Sequence, residues 1–587
     1  MAFGGSSLAM LFQAYTHELP TQAYYLALLI FVTAIATSIA FGNELLAVIG
    51  VLSFFLVIRL MFYVSTLFLV FPFGDPYGQF GVLRAFDQSS HLSILFPDIP
   101  PFDQTQYLAV VTNSYSQWPG LQILTLSLSR ITGLHLLDSA MAITMALDVG
   151  WFMVSYLLVR KMLAGMKVNL PNSAALCLAI VTALPTTEMP SFFKYDFPAT
   201  LFLLVSVLFL LRIYDDHDVK VMLPLMILSA GITVTHSITS LFLVLLFVPF
   251  AIWAAVPRLV QTLFLKFPAF VRRSVEWPSF RSHPPLYALL AFSLISFLSW
   301  SAFYAVFLVK YSHVSAGKIL SSFSLGALSF SHLSPGQSGT VLTPMWILDL
   351  LRVRNYVLAG LLLTGAVAVV LIPSLIRKAH VKVLILTIGL VTAFTEVSGA
   401  LSFGDRAFLL FAPLLGILYL AGLIILGSLR LRLGGVVAVF LMALLMFTAG
   451  IGFWASSYAP TTLYSQGANP SLASGRPLTW PAVASYLSFS DNPNCILTNE
   501  IYSTSMSVPV EEWNITRLVG SVTPRQGCLV IVYPGLFSAA NLNVSQFGFG
   551  EPYVPYKGFS PSTFYAHLYN NTDRIFSTNE ETIYYYS

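Results

Sequence analysis

The stretch YYLALLIFVTAIATSIAF, residues 24–41, holds no charged side chain, no glycine and no proline. At 1.5 Å per residue a helix of that length covers about 27 Å, close to the ~30 Å of hydrocarbon in a bilayer. It reads as a first membrane span. It also reads as an anchor that is retained, because no short apolar region with a small-residue cleavage site comes before it. After Asn43 and Glu44 a second apolar run extends from Leu45 to Phe71. Arg59 lies inside that run, where a charge is costly unless it snorkels, pairs or faces a polar cavity.

The pattern recurs through the chain. Of 587 residues, 57% are hydrophobic and only 9% charged, and the mean hydropathy is +0.78, which one or two soluble cores could not absorb. Further apolar runs lie at 136–159, 173–187, 196–213, 221–238, 240–256, 286–309, 356–376, 382–400, 405–428 and 435–456. The expected fold is mainly α, a polytopic transmembrane helical bundle of about twelve spans over residues 1–458. The net charge of +4 is small, and its cations sit between spans, so they report orientation and give no reason to expect nucleic acid. Loops holding Arg160 and Lys161, Arg212 and Lys220, Arg272 and Arg273, or Arg377 and Lys378 are expected inside. The loop at 72–117, the connection around 188–196, the segment 311–355, the turn at 404–406 and everything after Ser456 are then outside. The chain is expected in the cell membrane as a multi-pass protein with an extracytoplasmic C-terminal domain.

From about Pro460 the composition shifts to Ser, Thr, Asn, Tyr and Pro. Strand-like segments alternate with helix-like ones, so residues 459–587 are expected to form an exoplasmic α/β domain. Cys495 and Cys528 immediately precede the strand-like ILTN and LVIVY. Adjacent parallel strands would bring them together, and a bridge between them would stabilise the tail by about 3–4 kcal/mol on the chain-entropy model; two unpaired thiols are the alternative. Asn514, Asn543 and Asn570 begin glycosylation acceptor patterns, all within the region expected outside.

Charges are rare here, so their clustering is informative. FPFGDPYGQFGVLRAFDQSSHLSILFP, residues 71–97, carries Asp75, Arg84, Asp87 and His91, with Asp98 and Asp103 just beyond. PTTEMPSFFKYD brings Glu188 and Asp196 around Lys194, and Asp405 adjoins Arg406 at the start of a late span. A carboxylate at the mouth of a membrane cavity can act as a general base, and paired carboxylates can hold a divalent cation. A fixed guanidinium can bind phosphate. Each residue also has a plainer role. Asp75, in Gly-Asp-Pro-Tyr, can organise a turn. Glu188 and Asp196 can be solvated loop charges, Arg84 a surface charge, Arg406 a snorkelling anchor beside Asp405, and His236 a hydrogen-bonded interhelical residue. Behind the loop, the segment 118–134 has Pro119 near its start and places Gln122, Thr125, Ser129 and Thr132 on one helical face, an interfacial or cavity-lining pattern.

GDPYGQFGVLR, followed by YSQWPGLQILTLSLSRITGL, resembles the first exoplasmic loop of the GT-C superfamily of polytopic glycosyltransferases, its archaeal members above all. The resemblance extends loosely to PTTEMPSFFKYDFPATLFLL, VTHSITSLFLVLLF and FGDRAFLLFAPLLGIL. It implies a GT-C-like body, a sugar donor carried on polyprenyl or dolichyl phosphate, and an exoplasmic acceptor, either protein or lipid-linked glycan. Asp75 matches the loop acid, which implies a catalytic base or metal ligand, with Mg2+ or Mn2+ as the candidate ion. Glu188 and Asp196 stand where a second acidic motif is expected, and His236 and Arg406 become candidate donor-phosphate contacts; Arg84 is a further candidate for binding substrate. The WWD-type motif of the oligosaccharyltransferase branch is replaced by WASSY and LTWPAV, which favours transfer of a single sugar. Two other classes stay open: a transporter or flippase, and a non-catalytic membrane-anchored surface or assembly protein.

Overall fold

The computed structural model describes residues 2–16, 22–65, 117–164, 196–216, 219–255 and 284–305. It also describes helical positions within 79–87, 353–367, 380–388 and 443–451, and five strands between 495 and 586. The helices are α1 (Ala2–Thr16), α2 (Gln22–Ala40), α3 (Glu44–Ser65), α4 (Gly120–Thr132), α5 (Leu136–Leu163), α6 (Asp196–Asp216), α7 (Met222–Thr235), α8 (Ser237–Ala255) and α9 (Pro284–Phe303).

The expectation of about twelve spans is corrected. Among the described residues four helices, in α2, α5, α6 and α9, are long and apolar enough to cross a membrane, and three shorter apolar helices accompany them. The physical reason is visible at His236. An apolar run measures composition, whereas a helix also needs an unbroken backbone, and His236 is extended (φ −160°, ψ 121°) between α7 and α8. α7 therefore has 14 residues, or about 21 Å of helix. Several expected spans, among them 173–187 and 405–428, lie outside the described residues. The long apolar helices make this a multi-pass membrane protein.

Aromatic contacts hold the first three helices together. Phe31 of α2 packs on Phe3 of α1 and Phe54 of α3, with ring centroids 5.6 and 5.5 Å apart. The fully buried Phe55 carries the packing onward to Trp151 and Phe152 of α5. α5 and α6 run parallel. Gly150 lies against Leu201, and further along both helices Lys161 Nζ lies 3.2 Å from Asp215 Oδ2. His380 Nε2 approaches the other oxygen of the same carboxylate at 3.1 Å, with its ring stacked on Tyr214. Asp215→Asn withdraws the charge that Lys161 and His380 face in a largely buried setting. We expect a loss of about 1–3 kcal/mol in detergent-solubilised thermal unfolding, smaller than for a fully buried pair because Lys161 is partly exposed. An unchanged midpoint would show that the carboxylate does not hold α5 to α6.

α7 runs back along α6, with Gly231 facing Phe202. α7 meets α9 where Ser229 Oγ donates to Ser293 Oγ at 2.7 Å, and Thr233 and Ser240 hydroxyls meet at 2.9 Å across the α7–α8 break. These hydroxyls are buried. A seam of small polar side chains lets helices approach closely where no hydrophobic force separates helix from lipid.

The expected α/β tail is corrected too, because its described residues are strands without a helix. β1 (Cys495–Thr498), β2 (Ile515–Arg517), β3 (Cys528–Val532), β4 (Asp573–Ser577) and β5 (Thr582–Tyr586) form a sheet of order β2-β1-β3-β5-β4. β1 pairs in parallel with β2 and β3, and β5 is antiparallel to β3 and β4. In the β1–β3 ladder Cys495 is the register partner of Cys528. Neighbouring strands stand about 4.8 Å apart, within the Cα range that a disulfide spans. A bridge would make Cys528→Ser lower the tail's stability by about 3–4 kcal/mol. Non-reducing peptide mapping checks it directly, and free thiols at both positions would remove the bridge.

Candidate functional site

α4 lies where several elements converge. Its first half is buried through Leu121, Gln122 and Thr125, while Ile123, Ser127 and Arg130 are exposed. Gly133 ends it in the left-handed region (φ 73°), its N–H donating to Ser129 O at 2.8 Å. The polar stripe read from the sequence thus divides. Gln122 and Thr125 face protein, whereas Thr132 is exposed and returns its hydroxyl to Leu128 O.

Two ties fasten the helical segment 79–87 along α4. Gln122 Nε2 donates to Gln79 Oε1 at 2.6 Å, and Arg130 pairs with Asp87. Both pairs are separated by 43 positions, so the two segments run side by side in the same direction. At the foot of α4, Trp300 Nε1 of α9 donates to Gln117 O at 3.1 Å. There Gly120 meets the end of α7, and a Cβ at Gly120 would stand 2.2 Å from Thr235 Oγ1 and 2.9 Å from Thr235 Cα. Only glycine permits that approach.

Three candidate residues belong to this end of the bundle. His236 follows Thr235 directly and is 3% exposed. Its backbone N–H donates to Ile232 O, and its Nδ1 meets Thr239 Oγ1 at 2.7 Å. The Thr239 backbone N–H also points at Nδ1, at 3.4 Å. An N–H can only donate, so the neutral ring carries its proton on Nε2. Asp196 is the first residue of α6 and 6% exposed, at the helix end where the backbone dipole favours an anion. Its carbonyl accepts the Thr200 hydroxyl at 2.7 Å. α6 and α7 are antiparallel, so the start of one and the end of the other share a side. Arg84 sits half-buried in the segment tied to α4, and burial pulls its guanidinium below its ordinary value.

Asp196 is thus buried and Arg84 half-buried. A carboxyl group, an imidazole and a guanidinium are the residue types that can move a proton and neutralise a phosphate. Asp75, Glu188 and Arg406 lie outside the described residues, as do Asn514, Asn543 and Asn570. Among the described residues no group of three His, Cys, Asp or Glu side chains could hold a metal ion.

Sequence reasoning missed the Gln79–Gln122 pair, the Gly120 approach and Asp148. Asp148 is 2% exposed and lies 12 residues into α5, about 18 Å along it. An acid deep inside an apolar run was the available signal.

No protein-family model matches the chain, and no curated protein does. Among solved structures it is similar to the crystal structure of ArnT from Cupriavidus metallidurans bound to undecaprenyl phosphate. The identity is 11%, with 91% of this chain and 98% of that chain covered, at a TM-score of 0.35. This is a distant likeness to a protein of the GT-C fold, and at that score it assigns neither a family nor an activity to this chain.

Proposed function

We propose that this protein is an integral membrane glycosyltransferase that takes a sugar from a polyprenyl- or dolichyl-phosphate donor, in the manner of archaeal GT-C enzymes. It passes the sugar to an exoplasmic protein or lipid-linked glycan. The observation that supports this best is the burial of Asp196 and His236 at one end of the α6–α7 pair, the end where the Arg84 segment is tied to α4. In this reading Asp75 is the base that takes the acceptor's proton as the acceptor attacks the anomeric carbon, and Glu188 and Asp196 form a second acidic motif. The bond from that carbon to the phosphate oxygen breaks, and the lipid phosphate leaves as an anion. His236 Nε2–H, Arg84 and Arg406 hold its charge. Residues 459–587 form an exoplasmic domain that carries glycans at Asn514, Asn543 and Asn570 and a Cys495–Cys528 bridge.

His236→Gln tests the phosphate role. It keeps a hydrogen-bonding side chain but not the cation the ring can become, so KM for the labelled lipid-phosphate donor should rise about tenfold with kcat changed less. An unchanged KM would remove His236 from the donor site. One observation favours a second reading. Asp148, buried midway along a spanning helix, is the kind of residue that marks a transport path, and in that case labelled lipid would change leaflet with its sugar still attached.

A further inference from the structure

Three stretches far apart in the chain meet at one carboxylate. Asp215, near the end of α6, has Lys161 Nζ of α5 3.2 Å from one oxygen and His380 Nε2 3.1 Å from the other. Each of the three stands beside a connection whose Lys and Arg place it on the inner side in the sequence reading. The side chains of Asp215 and His380 are each 11% exposed, and that of Lys161 is 27% exposed. The imidazole lies flat on the Tyr214 ring, with centroids 5.4 Å apart and planes at 14°, and Tyr214 packs in turn on Phe250 of α8 at 5.3 Å. Packing therefore holds the ring beside the carboxylate whatever its charge. What the contact is worth does depend on charge, because a neutral imidazole meets the carboxylate as a dipole and an imidazolium meets it as a full opposite charge.

We propose that His380 and Asp215 form a pH-dependent clamp, which draws the helical segment at 380–388 onto the ends of α5 and α6 when the imidazole is protonated. Around the ring, α6 supplies Asp215 and Tyr214, α5 supplies Lys161, α8 supplies Phe250, and α9 supplies Tyr287 against Tyr214. Arg160 and Arg212 are exposed. Asp216 and His217 follow Asp215 in sequence and Lys382 follows His380, with side chains outside the described residues. The carboxylate favours the second proton on the ring, while Lys161 and burial oppose it; in the clamp the carboxylate prevails. A proton bound more tightly in the fold than in the unfolded chain adds stability below the ordinary imidazole range, and that stability is lost as pH rises through it.

The test compares thermal unfolding of the full-length, detergent-solubilised protein with that of His380→Gln from about pH 5.5 to about pH 8.5. Losing the stacked ring shifts the midpoint by an amount that pH does not change, so the quantity read is how the gap between the two proteins varies. The gap should be wider at the acid end by about 2–4 °C and should narrow as pH rises. In an Asp215→Asn background, His380→Gln should leave the pH profile unchanged, and His217→Gln in the wild-type background should leave the gap in place. A gap that is constant, or that widens towards alkaline pH, overturns the clamp. So does a pH-dependent gap that survives Asp215→Asn or disappears with His217→Gln. Should the variants not fold, hydrogen exchange of wild type decides: corrected for the intrinsic effect of pH, peptides at 152–163 and 205–215 should be about threefold or more better protected at the acid end, with α2 unchanged. Equal protection there at both ends of the range overturns the clamp.

Discussion

Asp75→Asn should reduce sugar release by about a hundredfold to ten-thousandfold, the range that a positioned general base contributes. Asparagine keeps the size of the side chain and most of its capacity to organise a Gly-Asp-Pro turn, so the loop should retain its shape. What it loses is an oxygen that can take a proton. KM for the lipid-phosphate donor should change little, because the donor's charge is held elsewhere in this account. A fall in kcat with an unchanged melting temperature separates a chemical role from a structural one. Full activity in the variant would return Asp75 to the role of turn former, and the base would have to be sought at Glu188 or Asp196.

Gly120→Ala should produce the largest structural effect of any single methyl group in the described residues. The new Cβ would meet Thr235 Oγ1 at 2.2 Å and, more seriously, Thr235 Cα and Cβ at 2.9 Å. Backbone cannot rotate out of the way as a side chain can, so α4 must part from α7. Overpacking of this kind costs about 1–3 kcal/mol and occasionally more. The shift would also displace its neighbours Gln117, Gln122 and His236, so activity should fall together with stability. Gly4→Ala, in α1 with open space around the added methyl, is the matched control and should be neutral or slightly stabilising. Equal melting temperatures for wild type and Gly120→Ala would mean that α4 is not seated on α7 as described.

Some of this was legible in the sequence, for identifiable reasons. Helices such as α2, α5, α6 and α9 announce themselves because lipid demands long uninterrupted apolar composition. Their lengths are less legible, because a single residue such as His236 can take an extended backbone without changing the hydropathy of the run around it. The Pro119 start of α4 could be read because a first-turn proline loses no hydrogen bond there. The destination of its polar stripe could not, since Gln122 is buried by a partner 43 positions away. The Lys161–Asp215–His380 cluster was invisible for the same reason. Cysteines placed just before two strand-like segments do hint at register, but the order β2-β1-β3-β5-β4 follows from pairings that no local pattern records. Asp196 stood out as an acid in a charged connection, and His236 as a polar residue between two apolar runs. Their burial on one side of the α6–α7 pair came only with the antiparallel packing of those helices.

The central claim is that this membrane protein splits the bond between a sugar and a lipid phosphate. It is tested most directly by reconstituting the purified protein in vesicles with a panel of radiolabelled polyprenyl- and dolichyl-phosphate sugars and membrane extract as acceptor. The account predicts that label leaves the lipid fraction for acceptor with at least one donor, and that free lipid phosphate accumulates in equal amount. Label that stays on the lipid with every donor, or that only exchanges between leaflets, would contradict it.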